Sequence, residues 1–421
     1  MQEPLPQHVD VAVIGGGIIG IGTALALARA GVRVAVFEKG TVAGEQSSRN
    51  WGWVRTVGRD PKELELALLA NEMWSDIQSK TEVGYRRTGL AYLAQSDAEM
   101  ARHQQWLDSA RTSGVRVSLI GKGELAQHIP ASNRPWVGAL YSASDGVAEP
   151  ALATRAIAKL AIEAGAQVFE QCAVRGIETA AGAVSAVVTE RGVVKCAAAV
   201  LAGGAWSRLF CGNHAIELPQ LKVHASVLST TPLQTGLDMA VNGVDFTCRK
   251  RSDGGYTVSQ LGASVADLTP DSLRLCRAFL PAWMAERKYL KLRMGRRFFE
   301  ELRMPRRFGL DQPTPFEACR QWDPAPSMPM VERALEKLKH AFPAFKEARI
   351  ARAWAGMIDV TPDALPVISA VPRVAGFFVG TGFSGHGFGI GPAAGAALAD
   401  LVTGARSRVD LKPFVLERFA A

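Results

Sequence analysis

One stretch limits what this chain can fold into more than any other, Asp10 to Glu38. Val11, Ala12, Val13 and Ile14 form a short apolar run of the kind that makes a buried parallel strand. Gly15-Gly16-Gly17-Ile18-Ile19-Gly20 then fills GxGxxG. Gly15 permits a tight turn, Gly17 lets backbone approach a pyrophosphate, and Gly20 lets the next helix pack closely on the strand. That helix, expected from about Ile18 to Ala30, aims its amides and positive dipole end at the pyrophosphate. Gly31 stops it, Val32 to Phe37 read as a second strand, and Glu38 ends that strand where it can accept hydrogen bonds from an adenosine ribose. Strand, turn, helix, strand and acid agree in spacing, which specifies a dinucleotide-binding unit. Glu38 would repel a 2′-phosphate; the motif does not separate NAD from FAD.

At 421 residues the chain is too long for one compact core, so two domains are expected. A hydrophobic content of 48% with 21% charged residues describes a soluble globular protein. Val11 to Ala28 is nearly uncharged, but its glycines and strand–turn–helix pattern argue against a membrane span, and no secretory signal precedes it. Cys172, Cys196, Cys211, Cys248, Cys276 and Cys319 show no CxxC or other metal-ligand spacing. No metal site is expected, and scattered thiols fit a reducing cytoplasm. The net charge of +8 is modest, and no nucleic-acid-binding motif accompanies it.

Beyond Glu38, the loop Gly44 to Arg55 mixes hydroxyls, amide, guanidinium and indole, and it leaves the second strand beside the pyrophosphate site. Cofactor contact is the economical reading, with tryptophans that fill a core as the plain one. Pro61 to Lys80 is patterned as an amphipathic helix, Gly89 to Leu93 as a strand and Asp97 to Gly114 as a helix. A helix is expected from Ala151 to Ala164. Strands follow over Val168 to Ile177, Ala183 to Glu190 and Gly192 to Cys196, then Ala199 to Ser207, a buried strand ending in small residues. Val223 to Leu228, Phe246 to Arg249 and Tyr256 to Gln260 alternate like strands of an antiparallel sheet.

Leu273 to Leu302 is expected to be helical and basic, with Arg287, Lys288, Lys291, Arg293, Arg296 and Arg297, followed by Arg303, Arg306 and Arg307. It is either a solvated face or, over 287–307, a docking surface for an acidic electron carrier or an anionic membrane. Near the C-terminus, Trp354 to Asp363 precedes a strand at Gly376 to Gly380. Thr381 to Gly389 is then a second glycine-rich loop, opening a helix from about Gly391 to Thr403.

The Gly15 motif, the Ala199 to Ser207 strand and the Trp354 to Gly389 region together resemble the D-amino-acid oxidase family of FAD-dependent oxidoreductases. The likeness is to its sarcosine, dimethylglycine and opine oxidase branch. Gly382-Phe383-Ser384-Gly385-His386-Gly387-Phe388 is similar to that branch's flavin-ring loop, and Trp354 to Asp363 to a segment beside the isoalloxazine. The resemblance implies an α/β fold with an α+β substrate part. A Rossmann-like FAD-binding domain (1–88, 150–217, 350–421) would be joined to an antiparallel-sheet substrate-binding domain (89–149, 218–349).

It also implies site residues. Gly15, Gly17, Gly20 and Glu38 match the ADP-binding positions, and Ile18 and Lys39 are expected at the cofactor. Ser47 and Ser48 match the loop under pyrophosphate and flavin, with Arg49, Asn50 and Trp51 also expected at the cofactor, and Val174 matches a main-chain contact to adenine. Gly203, Trp206, Gly382, Gly385, His386, Gly387 and Phe388 complete the cofactor set. Arg55 resembles an arginine on the flavin face that helps hold the substrate carboxylate. Gly356 replaces a cysteine that bonds FAD covalently, so the FAD is expected to be noncovalent. Gly389 and Ile358 stand where relatives carry a carboxylate-binding lysine and arginine, and an oxygen-activating lysine is missing near Val258.

The expected reaction is oxidation of an amino acid or secondary amine at a C–N bond by hydride transfer to flavin N5, giving an imine that hydrolyses. Arg55 and His386 are the residues expected at the chemistry; His386 either tunes charge at the flavin or is structural. An NAD-dependent dehydrogenase and a non-catalytic FAD-binding assembly factor stay open as alternatives. The expected location is cytoplasmic or peripheral at the inner face of the membrane.

Overall fold

The computed structural model describes residues 3–261, 264–287 and 290–420. Val11–Ile14, buried throughout, pairs in parallel with Val34–Phe37 on one side and Ala198–Leu201 on the other. Phe377–Thr381 and then Val367–Ala370 extend the sheet at one edge, and Gln167–Phe169 at the other, for six strands. Strands covered on both faces need continuous apolar runs, which these have.

The helix Ile18–Arg29 is apolar almost all round because neighbours enclose it: Pro150–Glu163 on one flank and Gly387–Thr403 on the other. A Cβ at Gly395 would fall 2.5 Å from the backbone of Gly22, so only glycine allows this approach.

The second layer is a ten-stranded sheet. Leu290–Arg293, Ser264–Asp267, Leu221–Thr230, Tyr256–Gln260, Phe246–Lys250, Ala240–Asn242, Leu90–Ala94, Gly138–Ser142 and Ser118–Gly121 follow one another across it. Ile350–Val360 also pairs with Leu221–Thr230. The amphipathic helix Met328–Ala341 covers one face, where Val331, Leu335 and Leu338 share a core with Phe246, Tyr256 and Val258. The opposite face turns toward the parallel sheet.

Four stretches depart from the expected pattern. The strand expected over Ala199 to Ser207 ends at Leu201, after which Gly204–Trp206 turns into the helix Ser207–Asn213. The strand expected over Val168 to Ile177 is two, Gln167–Phe169 in the parallel sheet and Val174–Ala180 in a small sheet with Ala183–Thr189 and Gly192–Lys195. Between them Gln171 and Cys172 donate their amides to the carbonyls of Gly40 and Glu38, which takes this backbone out of any ladder. The helix expected over Leu273 to Leu302 is three, Pro270–Arg274, Cys276–Glu286 and Arg296–Arg303, interrupted by Leu290–Arg293. Arg293 of that strand forks onto Asp267 of its neighbour, and Lys288 lies outside the described residues. Residues 350–360, expected with the cofactor domain, hydrogen-bond along the large sheet.

A buried ion pair ties the two layers together. Glu149, at the head of Pro150–Glu163, accepts from Arg249 at 2.8 and 3.0 Å, and Arg249 is 1% exposed. Removing one member leaves a buried charge alone. Arg249→Met should therefore cost about 3–5 kcal/mol in urea unfolding of the holoprotein. An unchanged midpoint would mean that solvent already weakens this pair.

Candidate functional site

Between the sheets lies a cavity of about 500 Å³, bordered by both glycine-rich loops and by the large sheet. At one end Gly15 has φ +111°, and a Cβ there would meet the Ala202 carbonyl oxygen at 2.5 Å. Glu38 accepts from the amides of Gly16 and Gly40, both at 2.7 Å. Burial pushes its carboxyl up, and the two amides oppose that. The Ser47 hydroxyl accepts from the Ile18 amide at 2.9 Å, so it sits at the positive end of the helix Ile18–Arg29.

A strap crosses this end of the cavity. Lys39 Nζ donates to Glu45 at 2.7 Å and to the carbonyls of Cys319 and Arg320 at 2.7 and 3.0 Å. Gln321 donates to the Gly44 carbonyl, the Trp322 amide to Glu45, and Arg49 to the Trp322 carbonyl. Glu45 also receives the indole N–H of Trp206, which Lys39 covers at 4.5 Å. The polar heads of Lys39, Arg49 and Asn50 are thus spent on protein partners, and these residues border the cavity without a free charge to offer phosphate.

At the other end the second loop starts a helix at Gly387, one turn earlier than the spacing suggested, with His386 as its N-terminal flanking residue. Asp359, buried, holds the loop by accepting from the Gly382 amide at 2.7 Å and from Thr381 and Gln220 at 3.1 Å. Beneath lies a trio, buried Arg59 and Glu63 with half-buried His386. Arg59 is 3.6 Å from Glu63, His386 Nδ1 is 3.3 Å from the same oxygen, and Arg59 donates to the His386 carbonyl at 3.0 Å. Burial pulls the Arg59 guanidinium down to about 10, which leaves it protonated at neutral pH. Burial works against charge on Glu63, but His386 and Arg59 outweigh it and hold the carboxyl low. Burial lowers the His386 imidazole in spite of Glu63. A neutral ring with its proton on Nδ1 fits that geometry.

Arg55 borders the same end, its guanidinium 5.7 Å from the centre of the Tyr92 ring. One nitrogen donates to the Val57 carbonyl, and no carboxylate lies within ion-pair distance among the described residues. Asp60 instead caps the amide of Lys62. Buried Asp145 fixes the segment after Arg55 by accepting from the amides of Thr56 and Val57 at 2.8 and 3.0 Å.

Of the residues expected at the site, Gly15, Gly17, Ile18, Glu38, Lys39, Ser47, Arg49, Asn50, Trp51, Arg55, Val174, Gly203, Trp206, Gly385, His386, Gly387 and Phe388 border the cavity. Gly20, Ser48 and Gly382 do not. Gly20 packs on Gly15, Ser48 bonds back to the Glu45 carbonyl, and Gly382 lies over Thr361. Val258, near which an oxygen-activating lysine is expected to be missing, faces the core under Met328–Ala341 and not the cavity. Gly389 has a steric reason to lack the lysine of relatives, since a Cβ would lie 2.6 Å from the Trp53 carbonyl oxygen. At Gly356 the nearest contact of a Cβ would be an ordinary 3.4 Å.

Glu45, Arg59, Glu63, Tyr92 and Asn242 escaped the sequence reading. The i,i+4 spacing of Arg59 and Glu63 was the one signal available.

The glycine cradle at Gly15, the acid at Glu38 and the helix N-terminus capped by Ser47 fit the ADP part of FAD. Gly385 and Gly387, whose amides donate to no partner among the described residues, fit the ring end. The family described as DAO, FAD dependent oxidoreductase, matches residues 10–401. A solved L-amino acid deaminase from Proteus myxofaciens, in complex with anthranilate, is 32% identical with a TM-score of 0.96, covering 99% of this chain and 95% of that one. Sarcosine oxidase subunit beta from Arthrobacter sp is 25% identical over 99% of this chain and 92% of its own length. Mitochondrial sarcosine dehydrogenase from Mus musculus is also 25% identical over 99% of this chain, which spans only 42% of that protein.

Glu38→Ala should weaken FAD binding by about 2 kcal/mol through lost charge-assisted hydrogen bonds, measured by titrating apoprotein with FAD. Acid treatment of the parent should release the flavin intact. Undiminished affinity in Glu38→Ala would place the ribose elsewhere.

Proposed function

The chain belongs to the DAO family of FAD dependent oxidoreductases, and we propose that it oxidises the C–N bond of a carboxylate-bearing amino acid or secondary amine. When bound, FAD supplies a hydride acceptor for the carbon beside the amine, and the imine so formed is hydrolysed by water. The single observation that carries this reading is Arg55, a cation at the cavity beside the Gly385 to Gly389 loop with no carboxylate within ion-pair distance among the described residues. The chain's own work is orientation and exclusion of water. Arg55 holds the carboxylate, Trp51, Trp53, Tyr92 and Ile358 enclose the apolar part, and the Gly385 and Gly387 amides lend positive potential to the ring end. The Arg59–Glu63–His386 trio keeps that loop in place. The deaminase neighbour was captured with anthranilate, a molecule carrying both an amine and a carboxylate.

The expected cofactor residues that border the cavity keep that proposed role, with Lys39 and Arg49 as clamps between loops, whereas Gly20, Ser48 and Gly382 act only through packing and turn geometry. Two domains remain the proposed organisation: residues 1–88, 150–217 and 350–421 for FAD, 89–149 and 218–349 for substrate, with 350–360 shared with the large sheet.

No helix among the described residues is long and apolar enough to cross a membrane. The excursion Pro270–Arg303 nevertheless exposes Leu273, Leu280, Trp283, Met284, Leu292, Met294, Phe299 and Leu302 beside basic side chains. That combination fits an anionic lipid surface better than a solvated face, which supports a peripheral place at a membrane, with the cytoplasmic side kept as part of the proposal. Oxygen is then a poor acceptor compared with a dye or quinone, since the strand Tyr256–Gln260 carries no lysine to activate it.

Arg55→Met should cost roughly 2 to 4 kcal/mol in kcat/KM with FAD retained, and Arg55→Lys less. A parent-like Arg55→Met would mean another residue holds the carboxylate. Separately, the parent should sediment with vesicles containing anionic lipid and much less with neutral ones, and Trp283→Ser with Phe299→Ser should reduce it. Equal behaviour on both vesicles would leave the patch without this role.

A further inference from the structure

Strand alternation sorts the large sheet into two faces. Ala91, Val241 and Val258 join the core under Met328–Ala341, whereas Leu90 and Ala240 pack with Trp53 on the cavity side. Tyr92 and Asn242 share the parity of that second pair. Hydrogen-bond register then lines up one row across four neighbouring strands: Tyr92 beside Asn242, Asn242 beside Thr247, Thr247 beside Ser259, and Ser259 beside Val227 on a fifth. Tyr92, Asn242, Ser259 and Val227 all border the cavity, so the row is its floor.

The polar groups of this row are not equivalent. Ser259 donates its hydroxyl to the Ser226 carbonyl at 3.0 Å, and Thr247 is buried. Tyr92 lies under the Arg55 guanidinium. Asn242, half-buried, has a side-chain amide with no hydrogen-bond partner among the described residues, and it stays accessible from the cavity. Its backbone is one strand away from Tyr92, a spacing of about 4.8 Å, which brings the amide toward the volume that Arg55 faces. Arg55 has one nitrogen committed to the Val57 carbonyl, so it holds a carboxylate by the rest of its fork and leaves an acceptor oxygen to be met from another direction.

We propose that Asn242 is the second carboxylate-binding residue, its amide N–H donating to the anionic group that Arg55 attracts. A lone cation pulls a carboxylate in but leaves it free to turn. A neutral donor fixed on a strand selects one orientation and so one face of the neighbouring carbon. This rests on the reading of Arg55 given above.

The test uses oxidised holoenzyme titrated with benzoate, followed by the change in flavin absorbance, with benzamide as the uncharged control. Asn242→Ala should weaken benzoate about 10- to 100-fold with little change for benzamide and none in flavin content. Asn242→Asp, which places like charge opposite the ligand, should weaken it further, and Asn242→Gln should recover part of the loss. With amino-acid substrates Asn242→Ala should raise KM and also lower kcat, since orientation is lost as well as affinity. Benzoate binding equal to the parent in Asn242→Ala, alongside lost binding in Arg55→Met, overturns this inference alone. Undiminished binding in both variants overturns the Arg55 reading with it. Should Asn242→Ala fold poorly or shed FAD, Asn242→Ser and Asn242→Asp decide, and loss of flavin in all of them overturns the assignment in favour of a structural asparagine.

Discussion

Everything at the site depends on how closely two glycine-lined helices approach. Ile18–Arg29 begins at the first glycine loop and Gly387–Thr403 at the last, and they meet where Gly22 lies against Gly395. Helix contacts normally leave 8–10 Å between axes, and residues without side chains let backbones come nearer. Because both helices also lie on the parallel sheet, the meeting fixes two amide-rich N-termini at one cavity. Larger residues at Gly22 or Gly395 would part the loops before they touched any ligand.

The substrate end is held differently, by buried charge. Asp145, Glu149 with Arg249, and Glu63 with Arg59 all grip the segment from Trp51 to Arg59 or the elements against it. Such groups gain little net stability over apolar substitutes, but each is costly to leave unpaired, so they permit few alternative arrangements. The consequence is a short segment anchored from several sides while Arg55 has no carboxylate within ion-pair distance among the described residues. A charge kept free in that way has a ligand as its natural partner.

Helix and sheet thus divide the labour. Backbone amides at helix termini and glycine turns serve the dinucleotide, whose shape is constant. Side chains on strands and on the Trp51 to Arg59 segment serve the substrate, where Ile358 and Gly389 bring no charge to the cavity. The strap of residues 319–323 belongs to the dinucleotide side, since it bonds the loop after Glu38 and leaves the Tyr92 row open.

The sequence by itself determined the dinucleotide unit, because strand, glycine turn, helix and terminal acid are local and their spacing follows from backbone geometry. It also determined the second glycine loop and, through the segments around Trp354 and Gly382, the family. Local pattern was enough to mark Arg55 for attention, though not to show that Asp60 turns away from it. Only the tertiary structure decided which polar heads are spent. Lys39 and Arg49 stand among the cofactor residues expected from the chain, and their charges are consumed by carbonyls some 270 to 280 residues away. Asn242 and Tyr92 became neighbours of Arg55 through strand register, and Glu63 met His386 through the packing of two distant elements. Contacts of that range depend on how whole layers stack, and no short stretch of sequence carries the information.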